Sequence, residues 1–182
     1  MRINNIIYFS PDLKLAALDL NNKTQILKHF PERIAGYYLE PIDELVQRKM
    51  AFAAGAIEFL LIDAFSRYAS PENRVGIRIK DWCTNNLQIN TKNASGFYKF
   101  FMCGILHEGH IKQFGQFSFD PEFNKPVQEL QGYIVVNPAN LLTSLQKHLA
   151  DFVKKLESDA TLYNVFLGRL KADLEDEIKL AQ

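Results

Sequence analysis

The chain has 182 residues with 47% hydrophobic and 12% aromatic content, enough for a real core and, by length, one domain spanning residues 1–182. Lys+Arg and Asp+Glu are equal at 21 each, so no global basic field drives tight nonspecific nucleic-acid binding, and any RNA contact has to be local. Two cysteines, Cys83 and Cys103, are too few for a disulfide framework and fit free thiols in a reducing compartment.

Met1 to Tyr8 lacks the apolar stretch of a secretory signal, so a cytoplasmic location is expected. Pro11, with Ser10 as cap, predicts a short first helix; Asn21 or Asn22 caps a second that runs toward Ile34 and stops before Gly36. From Pro41 to Phe65, apolar residues recur at three and four (Ile42, Leu45, Val46, then Ala53, Ala56, Ile57, Leu60, Leu61, Ala64), which predicts one long helix buried on a broad face. Ala51, Ala53, Ala54, Gly55 and Ala56 would let a neighbouring helix come close. The apolar stretch Ala51 to Phe65 contains Glu58 and Asp63 and is shorter than a bilayer requires, so no membrane span is expected.

Ser70-Pro71 ends that helix, because a residue before proline is pushed out of the α region. Arg78 to Asn86 then reads as a short helix and Thr91 to Ile111 as a longer one. Gln116 to Phe119 and Tyr133 to Val136 have β composition and, across a loop from Asp120 to Gly132, predict a small antiparallel pair. Asn137-Pro138 opens a helix to about Leu156, and a last one runs from Ala160 to Ala181.

The chemistry concentrates in Phe97-Tyr98-Lys99-Phe100-Phe101-Met102-Cys103-Gly104-Ile105-Leu106-His107-Glu108-Gly109, a histidine and a carboxylate at the end of an aromatic run. An imidazole exchanges protons near neutral pH with a ribose 2′-OH or a leaving oxygen. The stretch resembles the signature of the HEPN superfamily, helical proteins that include metal-independent ribonuclease toxins, in which an arginine is followed by four to six residues and then a histidine. The resemblance covers Glu40 to Val136, with the helices of 138–181 beyond it.

That resemblance implies a mainly α, HEPN-like bundle with a small two-stranded hairpin, acting as a homodimer whose arginine and histidine face each other across a cleft. It places the histidine role on His107 and the arginine role on Met102. Methionine cannot donate to a phosphate, and losing such a donor costs on the order of 3 kcal/mol of transition-state stabilisation. The expected function is an endoribonuclease scaffold of toxin and antitoxin or phage-defence type, impaired as written; Met102 fits a natural pseudoenzyme or a one-base inactivating change alike. The alternative is a noncatalytic module that binds a partner protein, such as a cognate antitoxin, or RNA.

Glu108 either orients His107 or pairs with Lys112 one turn on. Arg74, Arg78, Lys80 and Lys99 are the candidate phosphate contacts, with Arg67 and Lys112 nearby. On a regular helix Met102 and His107 lie about 140° apart, so their cooperation calls for a helix end, a bend near Gly104 or a second protomer. Cys103 reads as a small neighbour of His107, His110 as a surface residue, and a His107/His110 pair lacks a third ligand, so neither a metal nor a cofactor is expected.

Overall fold

The computed structural model describes residues 1–181, and the architecture is mainly α. The chain enters through strands β1 (Arg2–Ile3), β2 (Ile6–Ser10) and β3 (Leu13–Lys14), an antiparallel sheet in that order. Asn4 and Asn5 take left-handed φ of 49° and 64° and close the first turn, a conformation asparagine tolerates. The helix expected at Pro11 does not form: Ser10 ends β2 and pairs with Leu13. Alternation decides the matter, since Ile7 and Phe9 on β2 are buried at 8% and 0% exposure, and proline's fixed φ serves a turn as well as a first helical turn.

Helix α1 (Lys23–Ile34) is capped by Asn22, whose side chain accepts from the Gln25 N–H at 3.1 Å. It does not stop at Gly36. A π turn over Ala35–Leu39 carries it into α2 (Glu40–Gln47). Gly36 is a packing residue instead, because a Cβ there would run into the Pro11 ring. In a regular helix the Pro41 ring crowds the carbonyl four residues back, and the wider turn ahead of it takes up that clash.

The helix expected from Pro41 through Phe65 is two helices, α2 and α3 (Ala51–Tyr68), joined where Lys49 takes φ 55°. Gln47 to Met50 is exposed throughout, so nothing there needs burial and the chain reverses. Lys49 and Met50 donate their N–H groups back to the Val46 and Leu45 carbonyls, both at 2.9 Å, in the manner of a helix stop. Helix α3 ends before Ser70-Pro71 as expected and packs against α2, the α4 helix (Val75–Asn86), α6 (Pro138–Ser158) and α7 (Ala160–Asp173). The close approach at Gly55 is made by the Phe117 ring, not by another helix. The carboxyl of Glu58 on α3 is fully buried without a hydrogen-bond partner, and burial pushes it well above the usual carboxylate range.

Helix α5 (Thr91–Phe97), capped by Asn90, continues as π turns over Tyr98–Met102 and Gly104–Glu108 and ends at Gly109, φ 72°, short of Ile111. A three-stranded sheet follows, with β4 (Gly115–Phe117), β5 (Val127–Leu130) and β6 (Tyr133–Val136) in the order β4-β6-β5. The strand pair expected to be antiparallel, β4 with β6, is parallel. The segment read as a loop holds β5, which reverses into β6 through Gln131 and Gly132 at φ 51° and 87°; the added reversal sets β4 parallel. Asn137 caps α6, Asp159 caps α7, and the last expected helix breaks at buried Leu174 before α8 (Glu175–Ala181). One contiguous cluster of buried side chains spans these elements, and no helix among the described residues is long and apolar enough to cross a membrane.

Candidate functional site

The signature segment is wound more loosely than an α-helix. The Cys103 N–H donates to the Tyr98 carbonyl and the Gly109 N–H to the Gly104 carbonyl, both five residues back. Looser winding narrows the angle between residues five apart, which an α-helix sets at about 140°, but it does not bring Met102 and His107 onto one surface. The bend anticipated at Gly104 is therefore a change of helical winding. Gly104 is required for another reason: a Cβ there would lie 2.5 Å from the His110 carbonyl oxygen, which folds back over this turn.

Met102 and His107 end in opposite environments. Met102 is 3% exposed and belongs to the hydrophobic core, whereas His107 is exposed. Glu108 does not orient His107: its carboxylate pairs with Lys112 at 2.5 Å, and that hydrogen bond holds it below the usual carboxylate range. His110 is exposed, with Nδ1 at 3.1 Å from the Glu108 carbonyl oxygen. Burial raises the pKa of the Tyr98 phenol, and the neighbouring Cys103 thiol adds to the rise.

The basic residues do not gather into one patch. Arg74 is exposed and forks onto Glu72 at 3.0 and 2.6 Å. Arg78 is buried, donating to Asp63 and to Ser66 Oγ at 3.2 Å, so it braces α4 against α3. Arg67 pairs with Asp173 on α7. Lys80 lines a small surface pocket with Asp81, Thr84 and Thr91. Lys99 alone of the four candidates lies within the signature, sharing with Lys112, Glu108 and His110 a pocket of about 370 Å³ whose walls are Phe100 and Phe114.

A second, larger pocket of about 600 Å³ lies between α4 and α6, lined by Asn85, Asn86, Gln88, Lys147, His148 and Lys155 among others. Gln88 takes φ 55° on its rim. His148, unmarked by any sequence motif, is packed against the rings of Phe65, Trp82 and Phe152, and burial lowers its pKa to about 4. Its one sequence signal is position: it lies three residues after Leu145 and four before Phe152, beside the buried stripe of α6. The contact of Phe114 with Tyr133, ring centroids 5.9 Å apart, also escaped sequence reasoning, since only the fold brings the two together.

Among the described residues no group of three His, Cys, Asp or Glu side chains could hold a metal ion. Comparison with protein-family models, curated proteins and solved structures finds no match to this chain.

Proposed function

We propose that this chain is a HEPN-type, metal-independent endoribonuclease scaffold of the toxin and antitoxin or phage-defence kind, impaired because Met102 fills the arginine position. The observation that carries this reading is the exposed imidazole of His107 on a π turn whose next residue, Glu108, lines a pocket edged by Lys99 and Lys112. In such a scaffold His107 takes the 2′-OH proton or returns one to the leaving 5′ oxygen, and a lysine at the rim meets the phosphate. The working unit is a homodimer in the cytoplasm, with a cognate antitoxin as its controlling partner. The burial of Met102 favours a second reading, a noncatalytic module that binds RNA or a protein without cutting.

Cleavage of a mixed RNA pool in EDTA, by the chain as it stands, by Met102→Arg and by Met102→Arg with His107→Ala, separates the two. Cutting by Met102→Arg alone supports the nuclease scaffold; no cutting by folded proteins supports the binding module. Each variant is melted in parallel because position 102 is in the core. Should Met102→Arg not fold, trace cleavage by the unaltered chain that His107→Ala abolishes gives the same answer.

A further inference from the structure

We infer that Phe100, Phe114 and Tyr133, edged by Lys99, form a stacking platform for an unpaired base of single-stranded RNA. The inference rests on the RNA-directed reading above and names the substrate class of that site. Phe114 and Tyr133 are 46% and 45% exposed, a poor use of large aromatic rings unless something covers them. The rings form a run, Phe100 to Phe114 at 5.8 Å between centroids and Phe114 to Tyr133 at 5.9 Å.

Backbone hydrogen bonds fix their spacing. The Lys112 N–H donates to the Phe100 carbonyl at 2.9 Å, and the Ile134 N–H to the Phe114 carbonyl at 2.7 Å, so the three rings are tied to one another across the π turn, the β4 entry and β6. The rings are inclined at 59° and 62° to their neighbours, so a base would stack on one ring face and meet the edge of the next.

Charge decides which occupant fits. Lys99 Nζ lies 5.9 Å from the Phe100 ring centroid and makes no ion pair among the described residues, so a full cation edges the aromatic surface. Lys112 stands opposite, partly neutralised by Glu108, and Gln113 in the same pocket offers an amide donor and acceptor to a base edge. Aromatic faces that stack bases, beside a cation that meets the backbone phosphate, are how proteins hold unpaired nucleotides. Bases inside a duplex are stacked on each other and cannot reach such a ledge, so the platform selects single strands. Glu108, the residue after His107 in sequence, lines the pocket, while His107 itself is not among its lining residues.

The test uses the full chain with a short single-stranded RNA carrying 2-aminopurine, and the same sequence annealed as a blunt duplex, titrated by fluorescence and anisotropy. Stacking quenches the probe on binding the single strand; Phe114→Ala and Tyr133→Ser remove the quench and weaken binding roughly tenfold or more, and Tyr133→Phe restores it. Lys99→Ala weakens binding and reduces its salt dependence. If the unaltered chain binds RNA but the aromatic variants, shown folded by their melting curves, bind equally well, the platform is overturned and the RNA-directed reading stands. Equal binding of the duplex overturns it too. If the unaltered chain binds no RNA, both fall, and loss of self-association in Phe114→Ala would make the ledge a protein interface.

Discussion

The indole Nε1 of Trp82 donates to Nε2 of His148 at 3.3 Å, which fixes the imidazole proton on Nδ1, 3.0 Å from Asn86 Oδ1. Indole N–H is a donor only, so no other tautomer satisfies the contact. The Asn86 amide is itself oriented by donation to the Trp82 carbonyl at 2.8 Å. The three side chains close a ring of hydrogen bonds that joins α4 to α6, and both imidazole nitrogens are used within it. His148 is thereby a structural residue, held neutral, and its protonation would set two donors against each other.

That ring carries a pH dependence with a definite sign. The folded-state pKa of about 4 lies below the ordinary 6.5, so between those values the unfolded chain binds the proton and the folded chain does not. Stability is complete above pH 6.5 and falls as the pH drops toward 4, by up to about 3 kcal/mol. Lys155 adds to the lowering and Asp151 opposes it. Urea unfolding from pH 4 to 7 is expected to show this slope in the unaltered chain and to lose it in His148→Gln; an equal slope in both would refute the assignment.

Glu58 has the opposite sign. Its folded pKa is raised, so the folded chain keeps the proton while the unfolded chain, with a carboxyl near 4.5, releases it as the pH rises. Its contribution is present below pH 4.5 and is lost toward the raised folded value. Glu58→Leu is expected to raise stability at pH 7 by about 1–3 kcal/mol, because a buried unpartnered carboxyl is replaced by an apolar group of similar volume. Thermal melts at pH 4 and pH 7 check it, with the larger gain at pH 7.

Gly55 and Phe117 lock the β4 sheet onto α3. A Cβ at position 55 collides with the Phe117 ring, so Gly55→Ala is expected to cost about 1–3 kcal/mol despite alanine's better helix propensity. Phe117→Leu in the same chain should recover part of that loss, and a double-mutant cycle measured by urea unfolding reads the coupling.

At position 102, size and polarity separate cleanly. Met102→Leu conserves volume in the core and is expected to cost less than about 1.5 kcal/mol, whereas Met102→Ala should cost about 2–5 kcal/mol. Calorimetric melting points of the two variants give the comparison, and a near-neutral Met102→Ala would mean that the side chain is not packed as described.

Short-range chemistry was legible in the residues themselves. Asn22, Asn90, Asn137 and Asp159 each accept from a backbone N–H three residues on; the pattern of polar residue and following helix points to Asn21 or Asn22 as a cap and to a helix start at Asn137-Pro138. The breaks at Ser70-Pro71 and the mainly α character follow from equally local rules. The aromatic helix with His107 near its end was visible for the same reason.

What the sequence could not determine depends on partners distant along the chain. Alternation of Ile7 and Phe9 toward the core overrode proline's helix-starting signal, and β5 between β4 and β6 reversed the expected strand direction. Arg78 is a basic residue by sequence and a buried brace by structure, because Asp63 and Ser66 on α3 happen to face it. The winding of Tyr98 to Glu108 into π turns, and the meeting of Phe100, Phe114 and Tyr133, rest on hydrogen bonds that cross between elements. Local propensity cannot specify such contacts, since their free energy comes only when the whole chain has closed around them.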